Sequence, residues 1–228
     1  MRNGEQTRVS MWYVAIAMVF VTCLVVSNII AVKLVALGDM VAPAALIIFP
    51  LSYIFGDVLT EVYGYERTRP IIWLGFACNL LAVVAIAIGQ WLPPAAPFAD
   101  AQGAYERILG YAPRLLLGSF AAYLVGEFAN SLVLAKMKVA TGGRWLWTRT
   151  IGSTIVGTGL DTVVFTLIAF GGTLPGAVVA NIVMTAWVLK VGYEVIATPF
   201  TYLVVNFLKG QEGIDVFDVH ADFNPVRL

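Results

Sequence analysis

Phe49-Pro50-Leu51-Ser52-Tyr53-Ile54-Phe55-Gly56-Asp57-Val58-Leu59-Thr60-Glu61-Val62-Tyr63-Gly64-Tyr65 is an apolar, aromatic-rich run interrupted by two carboxylates. On a helix, Asp57 and Glu61 are spaced i,i+4 and project from one face, about 6 Å apart along the axis. The surrounding composition decides what kind of helix this is. Of 228 residues, 60% are hydrophobic and 12% charged, with a mean hydropathy of +0.85. Soluble domains carry roughly 25% charged residues, so the chain reads as an integral membrane protein. An ionised side chain at mid-bilayer costs at least about 2.5–3.5 kcal/mol, so the two carboxylates need partners or a task.

Outward from this run, six stretches reach the roughly 20 apolar residues that a helix needs to cross a bilayer. They lie near 11–36, 42–63, 70–91, 114–135, 150–171 and 180–208. They are apolar on every face, without the alternation of barrel strands, and an open sheet cannot satisfy its backbone in lipid. The expectation is one all-α domain, residues 1–228, with six transmembrane helices. Residues 101–109 are expected to add a short interfacial helix, and Pro199 to kink the sixth span. The first run is too long for the apolar region of a signal peptide and is expected to stay in the mature protein.

Lys and Arg set the orientation. With the N-terminus cytoplasmic, the inner segments hold Arg2, Arg8, Arg67, Arg69, Lys136, Lys138, Arg144, Arg149, Lys209 and Arg227, and the outer ones only Lys33, Arg107 and Arg114. Both termini are therefore expected in the cytoplasm. Trp12, Trp91, Trp145 and Trp147 fit the interfacial aromatic belts.

Six charged residues fall inside the spans: Asp57, Glu61, Glu127, Asp161, Lys190 and Glu194, accompanied by Asn28, Asn79, Asn130 and Asn181. Two carboxylates as close as Asp57 and Glu61 cannot both ionise in a low dielectric, which suits a proton-carrying pair or a pair that accepts donors from a ligand. Glu61 also lies near the cytoplasmic end, where an end charge could meet Arg67. Lys190 and Glu194 repeat the i,i+4 spacing and either neutralise each other or line a site, with Asp161 a second partner for the lysine. Tyr53, one turn before Asp57, could stack a planar ligand. Gly118, Ala122 and Gly126, and likewise Ser153 and Gly157, form small-residue stripes that admit a close helix neighbour, either within the chain or in a homodimer.

Equal numbers of acidic and basic residues, 14 of each, leave no basic field for nucleic acid. No phosphate loop ending in GK[ST] is present, nor an HExxH pair, and the single histidine, His220, lies in the tail. Cys23 and Cys78 read as small core residues. No catalytic residue, metal site or cofactor is expected, and a small transporter or a substrate-binding membrane subunit fits best.

The FP…YIFGDVLTEVYGY run resembles the signature of the queuosine precursor transporter family, also called the vitamin uptake transporter family. The resemblance continues through Ser27-Asn28, Lys33, Arg144-Trp145, Ser153-Thr154, Gly157, Asp161-Thr162, Lys190-Val191, Tyr193-Glu194, Thr198-Pro199 and Asp222-Phe223-Asn224-Pro225. It implies uptake of 7-cyano-7-deazaguanine and 7-aminomethyl-7-deazaguanine across the bacterial inner membrane. It also implies six helices arranged like the substrate-binding subunits of energy-coupling-factor transporters, without a dedicated ATPase. The runner-up is a vitamin-binding subunit of such an ATP-driven complex. Deazaguanine offers a planar face, N–H and NH₂ donors for a carboxylate, and a carbonyl that needs a donor. The residues expected to hold it are Asn28, Tyr53, Asp57, Glu127, Asp161 and Lys190, with Glu61, Asn130 and Glu194 beside them. Protons are the expected coupling ion.

Overall fold

The computed structural model describes residues 10–37, 40–110 and 113–227; Arg2 and Arg8, on which part of the orientation argument rests, lie outside them. Seven α-helices follow one another: α1 Met11–Ile30, α2 Phe49–Tyr63, α3 Tyr65–Trp91, α4 Gln102–Leu109, α5 Pro113–Ala140, α6 Leu146–Phe170 and α7 Gly176–Glu212. Five of them (α1, α3, α5, α6 and α7) are long and apolar enough to cross a membrane. The short helix expected at 101–109 is α4, preceded by a 3₁₀ turn at Ala96–Ala101.

Two expected spans differ in their ends. The first stops at Ile30, and β1 Leu34–Leu37 pairs antiparallel with β2 Met40–Pro43. This hairpin takes the residues that were expected to extend the first helix and begin the second. α2 is therefore 15 residues long, with a 3₁₀ turn at Ala44–Ile47 before it. At 1.5 Å per residue it is shorter than a full crossing. Twelve of its 15 residues are buried, which places it at the centre of the bundle, against α1, α3, α5 and α7. α7 runs without interruption through Pro199. The four belt tryptophans are exposed, whereas Cys23 and Cys78 are only half-buried rather than core.

Gly64 makes the sharp corner between α2 and α3. Its φ of 84° is in the left-handed region, and a Cβ there would sit 2.7 Å from Val216. That contact belongs to the C-terminal tail, which straps one end of the bundle. The Asp218 carboxylate accepts the Tyr65 N–H at 3.0 and 3.1 Å. Arg69 donates to the carbonyls of Asp222 and Asn224, both at 2.9 Å, and Trp73 Nε1 to that of Pro225 at 2.8 Å.

Beneath the strap lies Glu61, fully buried. Arg149 meets it with two bonds, Nε to Oε2 at 2.7 Å and Nη2 to Oε1 at 2.8 Å. Lys209 donates to Oε1 at 2.6 Å, and Lys138 lies 3.6 Å from the same oxygen. Lys138 also bonds the Glu61 backbone carbonyl and the Asp215 carboxylate. The hub thus joins α2, α5, α6, α7 and the tail, and among the described residues Glu61 pairs with Arg149, Lys209 and Lys138 rather than with Arg67.

Elsewhere, α5 and α6 form the most extensive helix pair. A Cβ at Gly157 would lie 2.6 Å from Asn130 Cβ, and one at Gly126 would lie 3.1 Å from the Gly157 carbonyl. Gly118 meets Phe165 and Ile168. The small-residue stripes are therefore used within one chain, which removes the argument they offered for a homodimer.

Removing the Glu61 charge leaves buried Arg149 without its counter-charge, so Glu61→Gln should destabilise the fold by about 3–5 kcal/mol. Asp215 is different. Partial burial opposes its ionisation, but Lys138 and Lys209 outweigh that and hold its carboxyl below the usual 3.8. Its contribution is present above that range and is lost as pH falls through the lowered value. With the side chain 44% exposed, Asp215→Asn should cost no more than about 1 kcal/mol. Thermal melting in mild detergent should show a large drop for the first variant and a small one for the second.

Candidate functional site

The centre of the bundle carries polar groups that the apolar sequence around them cannot satisfy. α2 contributes Phe49, Tyr53 and Asp57 on successive turns, α5 contributes Glu127 and Asn130, α6 contributes Thr154, Thr158, Asp161 and Thr162, and α7 contributes Lys190 and Glu194. Asp57, Glu127, Asn130, Asp161 and Glu194 are all buried. The close approach that glycine permits brings them together. A Cβ at Gly126 would sit 2.7 Å from Asp161 Cβ and 3.0 Å from the Tyr53 hydroxyl, and one at Gly56 would sit 3.3 Å from Glu127 Oε2.

The charges are unequally partnered. Lys190 Nζ donates to Asp161 Oδ2, bonds Thr162 Oγ1 at 3.2 Å, and lies 5.0 Å from the centroid of the Phe49 ring. Of its two candidate carboxylates the lysine therefore takes Asp161, not Glu194. Asn130 Nδ2 donates to Asp57 Oδ1 at 2.6 Å. Asp57 Oδ2, both oxygens of Glu127, Asn130 Oδ1 and Glu194 Oε1 have no hydrogen-bond partner among the described residues. Four carboxylates share this region with one lysine, and buried polar groups normally find partners. Chemically, such a cluster can accept hydrogen bonds or protons from a molecule beside it.

A cavity of about 180 Å³ opens beside the Asp161–Lys190 pair. Its walls include Ser27 and Asn28 of α1, Phe49 of α2, Ser119 and Tyr123 of α5, and Phe165 of α6. Asn28 Nδ2 donates to Asn79 Oδ1 at 2.8 Å, and Tyr123 donates to the Ile72 carbonyl at 2.8 Å, so two polar walls are held by α3. Past Phe49 and Lys190, a side pocket of about 10 Å³ is lined by Pro50, Tyr53, Thr154, Thr158 and Glu194. A carboxylate, a cation, an amide and an aromatic face in one small cavity can grip a planar polar molecule. Among the described residues no His, Cys, Asp and Glu grouping could hold a metal ion.

The family model described as "Putative vitamin uptake transporter" matches residues 43–204. A protein of Bacillus subtilis (strain 168) named "Probable queuosine precursor transporter" is 31% identical over 189 residues, covering 82% of each chain. The chain belongs to this vitamin uptake transporter family. It is a transporter, not an enzyme, and its long apolar helices make it a multi-pass membrane protein. No solved structure matches it.

Within this transporter the residues expected from sequence fall into four places. Asn28, Asp161 and Lys190 line the cavity, and Tyr53, Lys190 and Glu194 line the side pocket. Asp57, Asn130 and Glu127 lie among the buried polar groups but line neither space. Glu61 stands apart, with both oxygens taken by Arg149 and Lys209 at the strapped end. The ring that meets the lysine is Phe49, one turn before Tyr53, and Tyr53 itself is buried. Tyr123 and Thr158 were not singled out in sequence, and Thr154 entered only through the family resemblance; their signal is a hydroxyl on an otherwise apolar span.

Gly126→Ala would press a methyl into Asp161 Cβ and the Tyr53 hydroxyl and should cost about 1–3 kcal/mol. Gly118→Ala, whose nearest neighbours are at 3.4 Å, should be close to neutral. Melting of the two variants in detergent checks this, and equal stability would contradict the close-approach account.

Proposed function

We propose that this transporter imports queuosine precursors, 7-cyano-7-deazaguanine and 7-aminomethyl-7-deazaguanine, across the bacterial inner membrane. The observation that carries the reading is the Asp161–Lys190 pair facing a small cavity with Phe49 beside it. The name of the B. subtilis relative points the same way. In this reading the Asp161 carboxylate accepts the ring N–H and the exocyclic NH₂, Lys190 donates to the carbonyl, and Phe49 stacks on the bicyclic face. Asn28 supplies a further polar contact. Each of these replaces a bond to water that the base gives up on entry, which keeps the cost of burying its polar edge low.

The same bundle supports a reading of the membrane arrangement. The 3₁₀ turn and α2 together make the sixth crossing, alongside α1, α3, α5, α6 and α7. The strapped end, with Arg67, Arg69, Lys136, Lys138, Arg144, Arg149 and Lys209, faces the cytoplasm under the positive-inside rule, and both termini lie there. The cavity reaches Asn28 near the far end of α1, as a site loaded from outside requires. Six crossings in this order are compatible with the arrangement of energy-coupling-factor binding subunits.

Glu127 and Asp57 hold the coupling role. Their unpaired oxygens, near the cavity but not lining it, can take protons that enter with the substrate. The second reading, a vitamin-binding subunit of an ATP-driven complex, is favoured by the family's description as vitamin uptake transporters. Proteoliposomes containing this chain alone separate the two, because a binding subunit without its ATPase accumulates nothing.

Uptake of labelled 7-cyano-7-deazaguanine into such proteoliposomes should rise with an inward proton gradient and collapse with a protonophore. Asp57→Asn should abolish it while the protein still inserts and melts cooperatively. Uptake indifferent to the gradient would remove proton coupling, and near-normal transport by Asp57→Asn would remove this carboxylate from the mechanism.

A further inference from the structure

Glu194 is the buried carboxylate for which the import reading gives no task. It is 2% exposed, and its Oε1 has no hydrogen-bond partner among the described residues. Lys190, one turn away on the same helix, is committed to Asp161, Thr162 and the Phe49 ring. The Thr154 hydroxyl, in the same pocket, is also buried and unpartnered, while Thr158 donates to the Thr154 carbonyl at 2.6 Å and keeps its lone pairs free to accept. The pocket therefore presents hydroxyl oxygens and a buried carboxyl group whose Oε1 meets no partner among the described residues.

Its size narrows what can enter. About 10 Å³ is close to the minimum that one water-sized group requires, so a ring is excluded and an ammonium head fits. Phe49 and Lys190 line both the pocket and the larger cavity, so the pocket is reached by a short arm on a ligand stacked at Phe49. A nitrile arm carries no donor and gains nothing from Glu194. A protonated primary amine carries three donors and a positive charge, and charge-assisted hydrogen bonds are about twice as strong as neutral ones.

We propose that the Glu194 pocket is a specificity subsite for a protonated primary amine on the ligand, seated by Glu194 and the Thr154 and Thr158 oxygens. This rests on the import reading above and deepens it. The subsite makes the aminomethyl form the preferred ligand over the cyano form.

Competition binding to the purified full chain reads this as a ratio. Wild type should bind 7-aminomethyl-7-deazaguanine more tightly than the cyano form, and Glu194→Gln should reduce that preference by about tenfold or more, the range of a hydrogen bond to a charged group. Thr154→Val, which keeps the shape and removes one acceptor, should reduce it by about threefold and serves if Glu194→Gln fails to fold. An unchanged ratio in a folded variant overturns the subsite and leaves the import reading standing. No binding of either compound by wild type overturns both.

Discussion

A charge buried among apolar helices persists only where another charge or a hydrogen-bonding partner meets it, and this constraint divides the core into two parts. At the strapped end, Glu61 is surrounded by Arg149, Lys209 and Lys138, with both oxygens engaged. In the middle, Asp57, Glu127 and Glu194 keep oxygens that meet nothing among the described residues. The first arrangement fixes helix ends and closes one side of the bundle. The second leaves acceptors waiting beside a cavity. The same residue types are fully engaged by cations in one place and largely unpartnered in the other.

The two parts depend on each other through α2. Its C-terminal half carries Glu61 into the hub and its N-terminal half carries Phe49, Tyr53 and Asp57 to the site, so the ion pairs that hold one end set the register of the other. Across from it, Gly126 and Gly157 let α5 and α6 approach closely enough to bring Asp161 beside Tyr53. A bilayer supplies no hydrophobic force between helices, so close packing and polar bonds must do this positioning.

Much of this was legible in the sequence, because membrane-buried charges are few and conspicuous. The spans carried by α1, α3, α5, α6 and α7 and the short helix at 102–109 could be read from hydropathy and composition, and Asp57, Glu61, Glu127, Asp161 and Glu194 are buried as their apolar surroundings imply. What could not be read was partnership. Glu61 lies 88 residues from Arg149 and 148 from Lys209, so its place near the span's end suggested an end charge, but the local sequence offered Arg67 instead of these partners. Lys190 has a carboxylate four residues away and takes one 29 residues away instead. The hairpin was hidden for another reason: Leu34–Leu37 and Met40–Pro43 are as apolar as a helix, so hydropathy reads them as parts of two spans. That hairpin shortened α2 and made Phe49, at its start, the ring that meets Lys190.

The central claim is that the cavity at Asp161 and Lys190 holds a deazaguanine without help from any other chain. Equilibrium binding of labelled 7-cyano-7-deazaguanine to the purified protein in detergent tests it most directly. The account predicts saturable binding of one ligand per chain, displaced by unlabelled deazaguanine and unaffected by ATP. Absence of saturable binding by well-folded protein, or displacement by a vitamin but not by deazaguanine, would contradict it.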